Sequence, residues 1–191
     1  MSDYYQKNYQ EYFRKTVTAD PTSFLESFAA KLSPGAKVID IGCGSGRDLL
    51  WLKKRGFKPV GFERSKGLAD LAEQYSGARV IRADFELFEF SGMDADGILL
   101  TGALVHLKKE KFQPLLRSIV KGVKPKGIIS ISLKQGKGSL IDSMGRSFYL
   151  WQESELRNLF KDSSLSVLSI TKNSSALKTG ETWLTSIVRC L

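Results

Sequence analysis

Histidine and cysteine are almost missing from this chain. Its 191 residues hold one histidine, His106, and two cysteines, Cys43 and Cys190. Neither cysteine has metal-ligand spacing, so no metal is expected, and a reduced cytoplasm is the expected setting. No apolar run approaches the ~20 residues that span a bilayer. The opening Met1 to Lys7 carries no apolar signal core, so no secretion leader and no membrane partner are expected. Acidic residues are the minority, 20 against 29 Lys and Arg, for a net charge of +9. The basic residues are scattered, as in Lys53-Lys54-Arg55, Lys108-Lys109-Glu110-Lys111 and Lys121, Lys124, Lys126, with no dense tail and no interleaved aromatic-basic run. Such groups suit helix C-termini and exposed faces. Nucleic acid stays open as an alternative partner.

What is present is concentrated in residues 38–46, Val-Ile-Asp-Ile-Gly-Cys-Gly-Ser-Gly. Val38, Ile39 and Ile41 suit a buried strand, and Gly42, Gly44 and Gly46 suit a turn that brings backbone close to a ligand. Arg47 to Leu52 then opens a helix whose N-terminus presents free N–H groups. The dinucleotide fingerprint is G-x-G-x-x-G with an acid about 20 residues on. Here the spacing is G-x-G-x-G, and Asp40 stands two residues before the first glycine. A carboxylate there repels a pyrophosphate and suits an ammonium.

Further along, hydrophobic periodicity predicts alternating elements in one domain. Tyr5, Tyr9, Tyr12 and Phe13 share one face of a helix over 3–16. Asp20-Pro21 opens a second helix reaching Leu32, and Ser33-Pro34-Gly35 ends it. Strands are predicted at 37–41, 58–62, 78–82, 96–101 and 127–133, with helices at 46–55, 66–75 and 109–121 between them. That rhythm implies a parallel sheet covered by helices on both faces. After a helix at 152–160, strands at 164–172 and 182–190 have no helix between them and should pair as an antiparallel hairpin.

The nine-residue string resembles motif I of the class I S-adenosylmethionine (SAM)-dependent methyltransferases. The ordered strings Gly46-Arg47-Asp48, Phe62-Glu63-Arg64-Ser65, Asp96-Gly97-Ile98, Leu104-Val105-His106, Pro125-Lys126-Gly127, Gly145-Arg146-Ser147-Phe148 and Trp183-Leu184, with Tyr5-x-x-Asn8-x-x-x-Tyr12, are similar to a small bacterial group of type 11 or tellurite-resistance-like members. The resemblance implies an α/β fold: a Rossmann-like three-layer sandwich with a seven-stranded, mostly parallel sheet, a C-terminal antiparallel hairpin and N-terminal helices. Residues 1–191 then form a single domain, with 1–33 as a helical lid segment.

The resemblance also implies a cofactor, SAM, and residues to hold it. Asp40, Gly42, Cys43 and Gly44 form the platform. Arg47 is a candidate for the methionine carboxylate or for the fourth-strand loop, Glu63 for the ribose hydroxyls with Arg64 beside it as a further cofactor-side candidate, and Asp84 with Phe85 for adenine. Thr101 and Gly102 match the backbone that meets the methionine part, and Tyr12 is the candidate lid residue over SAM. His106, at the mouth of the site, is the candidate general base. Arg146 and Trp183 are weaker candidates for the substrate wall. Two departures from the family pattern stand out: Lys134-Gln135-Gly136-Lys137-Gly138, where acidic residues are expected between glycines, and Thr185, where asparagine is expected. The expected acceptor is a small molecule. RNA methylation and SAM binding without catalysis are the alternatives.

Overall fold

The structure, a computed structural model, describes residues 4–177 and 179–191. In chain order its helices are α1 (Tyr4–Lys7), α2 (Tyr9–Thr16), α3 (Thr22–Ala29), α4 (Arg47–Lys54), α5 (Lys66–Ser76), α6 (Lys109–Val120) and α7 (Glu153–Lys161). Its strands are β1 (Lys37–Ile41), β2 (Lys58–Glu63), β3 (Val80–Arg82), β4 (Ala95–Thr101), β5 (Val123–Lys134), β6 (Ser139–Ile141), β7 (Ser147–Tyr149), β8 (Leu165–Ser174) and β9 (Thr182–Cys190). Seven strands make one sheet in the order β3-β2-β1-β4-β5-β9-β8. β1 to β5 are parallel, and β9 runs antiparallel to both β5 and β8. β9 is therefore the single reversed strand, inserted inside the sheet.

Alternation along the strands divides the core into two layers. Val38, Leu99 and Ile128 face one side, where they pack with Leu25 and Phe28 of α3 and Trp51 and Leu52 of α4. Ile39, Ile98 and Ile129 face the other side, with Phe112 and Leu116 of α6 and Leu156 and Phe160 of α7. This is the expected three-layer sandwich.

The structure corrects four details. The expected helix over 3–16, whose residue 3 lies outside the described residues, is interrupted at Asn8, where the backbone leaves helical geometry at φ −113° and ψ 24° while the side-chain amide donates to the Tyr4 carbonyl (2.9 Å). The segment 1–33 is not uniformly a cover. Among its described residues, α1 and α2 lie over α5, whereas α3 buries Leu25 and Phe28 under the sheet. β5 begins at Val123 rather than 127, running through Pro125 with Lys126 at φ 63° beside a register shift between Ala95 and Gly97. Finally, β6 and β7 form a small antiparallel pair that periodicity did not reveal. β6 is exposed throughout, so burial imposes no alternation on it.

Candidate functional site

The sheet reverses its strand order between β1 and β4, the crevice where open α/β sheets bind ligands. Two chain segments meet there. After β1, Gly42 N and Cys43 N donate to the Phe62 carbonyl (2.8 and 2.9 Å), and Gly46 N donates to the Cys43 carbonyl (3.0 Å). These bonds hold the glycine turn against the end of β2. After β4, Thr101 and Gly102 lead into a 3₁₀ turn at Leu104–His106.

A cavity of about 230 Å³ opens between them. Tyr12, Asp40, Gly42, Cys43, Gly44, Arg47, Thr101 and Gly102, all cofactor-side candidates, line it. Tyr12 lies across the turn so closely that a Cβ on Gly44 would stand 3.2 Å from its ring. Tyr5 stacks edge-on against Tyr12 with centroids 5.0 Å apart.

Asp40 is the anomalous residue of this cavity. It is 2% exposed, and its Oδ2 is buried without a hydrogen-bond partner among the described residues. Burial pushes its pKa well above the ordinary carboxylate value, the Asp48 carboxylate adds to that, and Arg47 opposes it. Arg47 itself pairs with Asp48 (Nε to Oδ1, 2.7 Å) and packs over Phe24. An uncompensated buried carboxylate is costly unless a cationic partner arrives. The ammonium of SAM is such a partner, and the side-chain-free turn beside it accepts close approach, so the residues fit the expected cofactor.

Other expected residues lie apart from the cavity wall. Glu63 stands at the end of β2, with Oε2 accepting from Gly44 N (3.2 Å) and Oε1 from Ser65 N (2.8 Å). Its pKa is raised by burial against these bonds. Arg64 and Asp84 form an ion pair at 3.3 Å, and the other Asp84 oxygen accepts from Glu86 N (3.0 Å), a local turn. The expected place for Phe85 beside the base is corrected: its ring is 6% exposed and packs in the main core. His106 is also not on the wall. Its Nδ1 is 2.6 Å from the Ser147 carbonyl and its Nε2 is 2.7 Å from the Tyr5 hydroxyl.

On the far wall stand the two weaker candidates, Arg146 and Trp183, together with residues the sequence did not single out for it. Lys134, at the end of β5, is 8% exposed, bonds to Glu181 at 2.5 Å and lies 3.9 Å over the Phe148 ring. Arg146 is held by Asp142 and faces Tyr4 and Phe148. Trp183 lines the same wall, and residues 173–177 with Thr179 and Glu181, from the β8–β9 connection, close it. Lys134 gave a sequence signal, one cation ending an apolar strand. The β8–β9 connection gave none, because its place is set by the pairing of β8 with β9.

The expected lid role of α2 can be tested apart from the chemistry. A Cβ on Gly67 of α5 would meet the Tyr9 ring at 2.4 Å. Gly67→Ala is expected to push α2 off α5 while improving the helix by about 1 kcal/mol. We expect SAM affinity to fall roughly tenfold, about 1.4 kcal/mol, with the helix gain offsetting only part of the about 1–3 kcal/mol that forced separation costs, so that the melting temperature of the free protein falls by a few degrees at most. Calorimetric titration and a thermal scan of the variant check this, and an unchanged affinity would refute the lid role.

The chain matches the protein family described as a methyltransferase domain over residues 6–169. It is 28% identical over 120 residues to a carboxy-S-adenosyl-L-methionine synthase of Shewanella loihica, covering 58% of this chain and 49% of that protein. The chain spans about half the length of the curated relatives it matches there. Among solved structures, a 1,6-didemethyltoxoflavin-N1-methyltransferase of Burkholderia thailandensis, with 1,6-didemethyltoxoflavin and S-adenosylhomocysteine bound, superposes with TM-score 0.79 at 20% identity, covering 96% of this chain and 84% of that one. A TehB-like SAM-dependent methyltransferase of Corynebacterium glutamicum gives TM-score 0.75 at 22% identity over the whole of both chains. These likenesses establish the fold.

Proposed function

From a chain that belongs to the methyltransferase-domain family and is built on the class I SAM-dependent fold, we propose an enzyme that moves the SAM methyl group to a small-molecule acceptor. The observation that carries this is the buried Asp40 carboxylate, with an unpartnered oxygen, on the wall of a cavity at the strand-order switch point. Bound there, SAM supplies an electrophilic sulfonium methyl. The chain's own part is binding, orientation and exclusion of water.

In this reading Asp40 takes the ammonium, and the turn from Gly42 to Gly44, with Cys43, lies along the cofactor beside Thr101 and Gly102. Arg47 meets the carboxylate, and Tyr12 closes over the top. Glu63 and Arg64 serve the ribose, and Asp84 serves the adenine. The acceptor lies toward Lys134, Phe148, Arg146 and Trp183. A wall of rings enclosed by two covering segments favours a small acceptor over RNA. The N-methyltransferase of known acceptor among the solved structures supports the same class.

The experiment is a calorimetric titration with SAM, S-adenosylhomocysteine and, as control, NAD. Saturable binding of the first two alone is expected. At 100 times the dissociation constant, either ligand should add about 2.7 kcal/mol to stability. Binding of NAD in preference to SAM, or of neither, would overturn the proposal.

A further inference from the structure

We propose that Tyr5 is a catalytic residue of this methyltransferase, receiving the acceptor's proton while passing its own to His106. The inference rests on the methyltransferase reading and adds a proton route to it.

The geometry begins with tautomers. A backbone carbonyl can only accept, so the 2.6 Å contact between His106 Nδ1 and the Ser147 carbonyl places the ring proton on Nδ1. Nε2 of the neutral ring is then an acceptor, and at 2.7 Å it takes the hydrogen of the Tyr5 hydroxyl. A base whose two nitrogens are engaged, set behind the cavity wall, does not touch an acceptor. Tyr5 does line the cavity, and with its hydrogen given to His106 and one lone pair taken by the Arg146 guanidinium, its oxygen keeps one lone pair to receive another hydrogen.

The proton count closes without a further reactant. The acceptor atom bonds to the methyl carbon, and the sulfur–methyl bond breaks with its electron pair left on sulfur. The acceptor's proton goes to Tyr5 Oη, and the proton already on Oη goes to His106 Nε2. Tyr5 ends neutral, as it began, and the positive charge that stood on the sulfonium ends on the imidazole ring. The Nδ1–H bond to the Ser147 carbonyl supports that charge.

The surroundings agree with this assignment. Burial pushes the Tyr5 pKa up, with Glu63 and Tyr4 adding and the nearby Arg146 guanidinium opposing. A phenol in that position does not hold negative charge, so it must release a proton as it gains one. Burial also pushes His106 below its ordinary value. Arg146 and Lys134 act in the same direction, and Asp142 and the Ser147 carbonyl act against it. The ring is therefore neutral and able to accept near pH 7.

The test starts with protein shown to bind SAM, so that failure of the cofactor reading is seen separately. Single-turnover transfer is then measured to phenol and to catechol, whose reacting oxygen carries a proton, and to thiophenolate, whose sulfur does not. Tyr5→Phe is expected to slow the two protonated probes at least 30-fold more than thiophenolate. His106→Gln should remove the acid limb of the wild-type pH–rate profile, which lies below the ordinary histidine value. Independently of activity, the single imidazole gives one pair of nitrogen resonances. These should report Nδ1–H in the free wild type and a titration midpoint that rises in Tyr5→Phe, where Nε2 loses its donor. The proposal is overturned if Tyr5→Phe slows all three probes equally, if neither protonated probe is methylated, if the acid limb persists in His106→Gln, or if the ring carries its proton on Nε2.

Discussion

Asp40→Asn is expected to raise the melting temperature of the ligand-free protein while it destroys SAM binding. The two effects have one cause. Asp40 is buried, and its Oδ2 has no partner among the described residues. Its folded-state pKa stands well above the ordinary value because burial and the Asp48 carboxylate disfavour the anion. The folded state therefore holds a proton that the unfolded chain releases. The stability linked to that proton is fully present below the unfolded value of about 3.9 and is lost as pH rises through the raised folded value. Asparagine carries no charge at any pH. The gain from Asp40→Asn should thus be absent in acid and grow with pH, reaching about 1–3 kcal/mol, the cost of an unsatisfied buried group. For a chain of this length that corresponds to roughly 5 °C. Cofactor affinity should fall at least about 100-fold, near 2.7 kcal/mol, since the amide offers no charge to an ammonium. Scanning calorimetry at two pH values, paired with a SAM titration, checks both halves. A variant that melts lower at alkaline pH, or binds SAM unchanged, would contradict the role given to Asp40.

Gly46→Ala should be the most destabilising small substitution in the glycine turn. Gly46 sits at φ 74°, and an added Cβ would stand 2.8 Å from the Ala72 carbonyl oxygen and 2.9 Å from the Ala72 Cα. Both are backbone atoms of α5, so no flexible side chain can move aside. Left-handed backbone costs a residue with a Cβ about 1–2 kcal/mol, and forcing packed elements apart adds about 1–3 kcal/mol. The sum, about 2–5 kcal/mol, corresponds to a drop of roughly 10 °C. Gly35→Ala separates the two contributions. Gly35 has φ 75° and nothing within 4 Å of the added carbon. It should show the backbone cost alone, and thermal melts that put the two variants level would remove the packing argument.

Local chemistry made much of this molecule legible. The sequence pattern bounds β1 at 37–41 and the strand runs Lys37–Ile41, because both faces of that strand are buried and the glycines after it admit only a turn. Asp40 and the turn could be read as a ligand platform because they are neighbours in the chain. What could not be read depends on distant partners. Phe85 looked like a ring for a base, yet an apolar side chain beside the cluster of Phe62, Phe88 and Phe90 is drawn into the core. His106 looked like a base facing the acceptor, and only the folded chain shows Tyr5, 101 residues away, standing between. Lys134, Phe148 and Trp183 share a wall because β5 pairs with β9 and β7 lies against the 3₁₀ turn, relations that no local pattern carries.

The reversed strand has a consequence for how the molecule is made. β9 lies between β5 and β8, yet β8 precedes it in the chain. During synthesis β8 emerges with no place in the sheet, and β5 keeps an open hydrogen-bonding edge until Thr182–Cys190 have been translated. An open edge is a template for pairing with another chain. The nascent protein therefore carries an open edge on β5 until β9 has left the ribosome and taken its slot between β5 and β8.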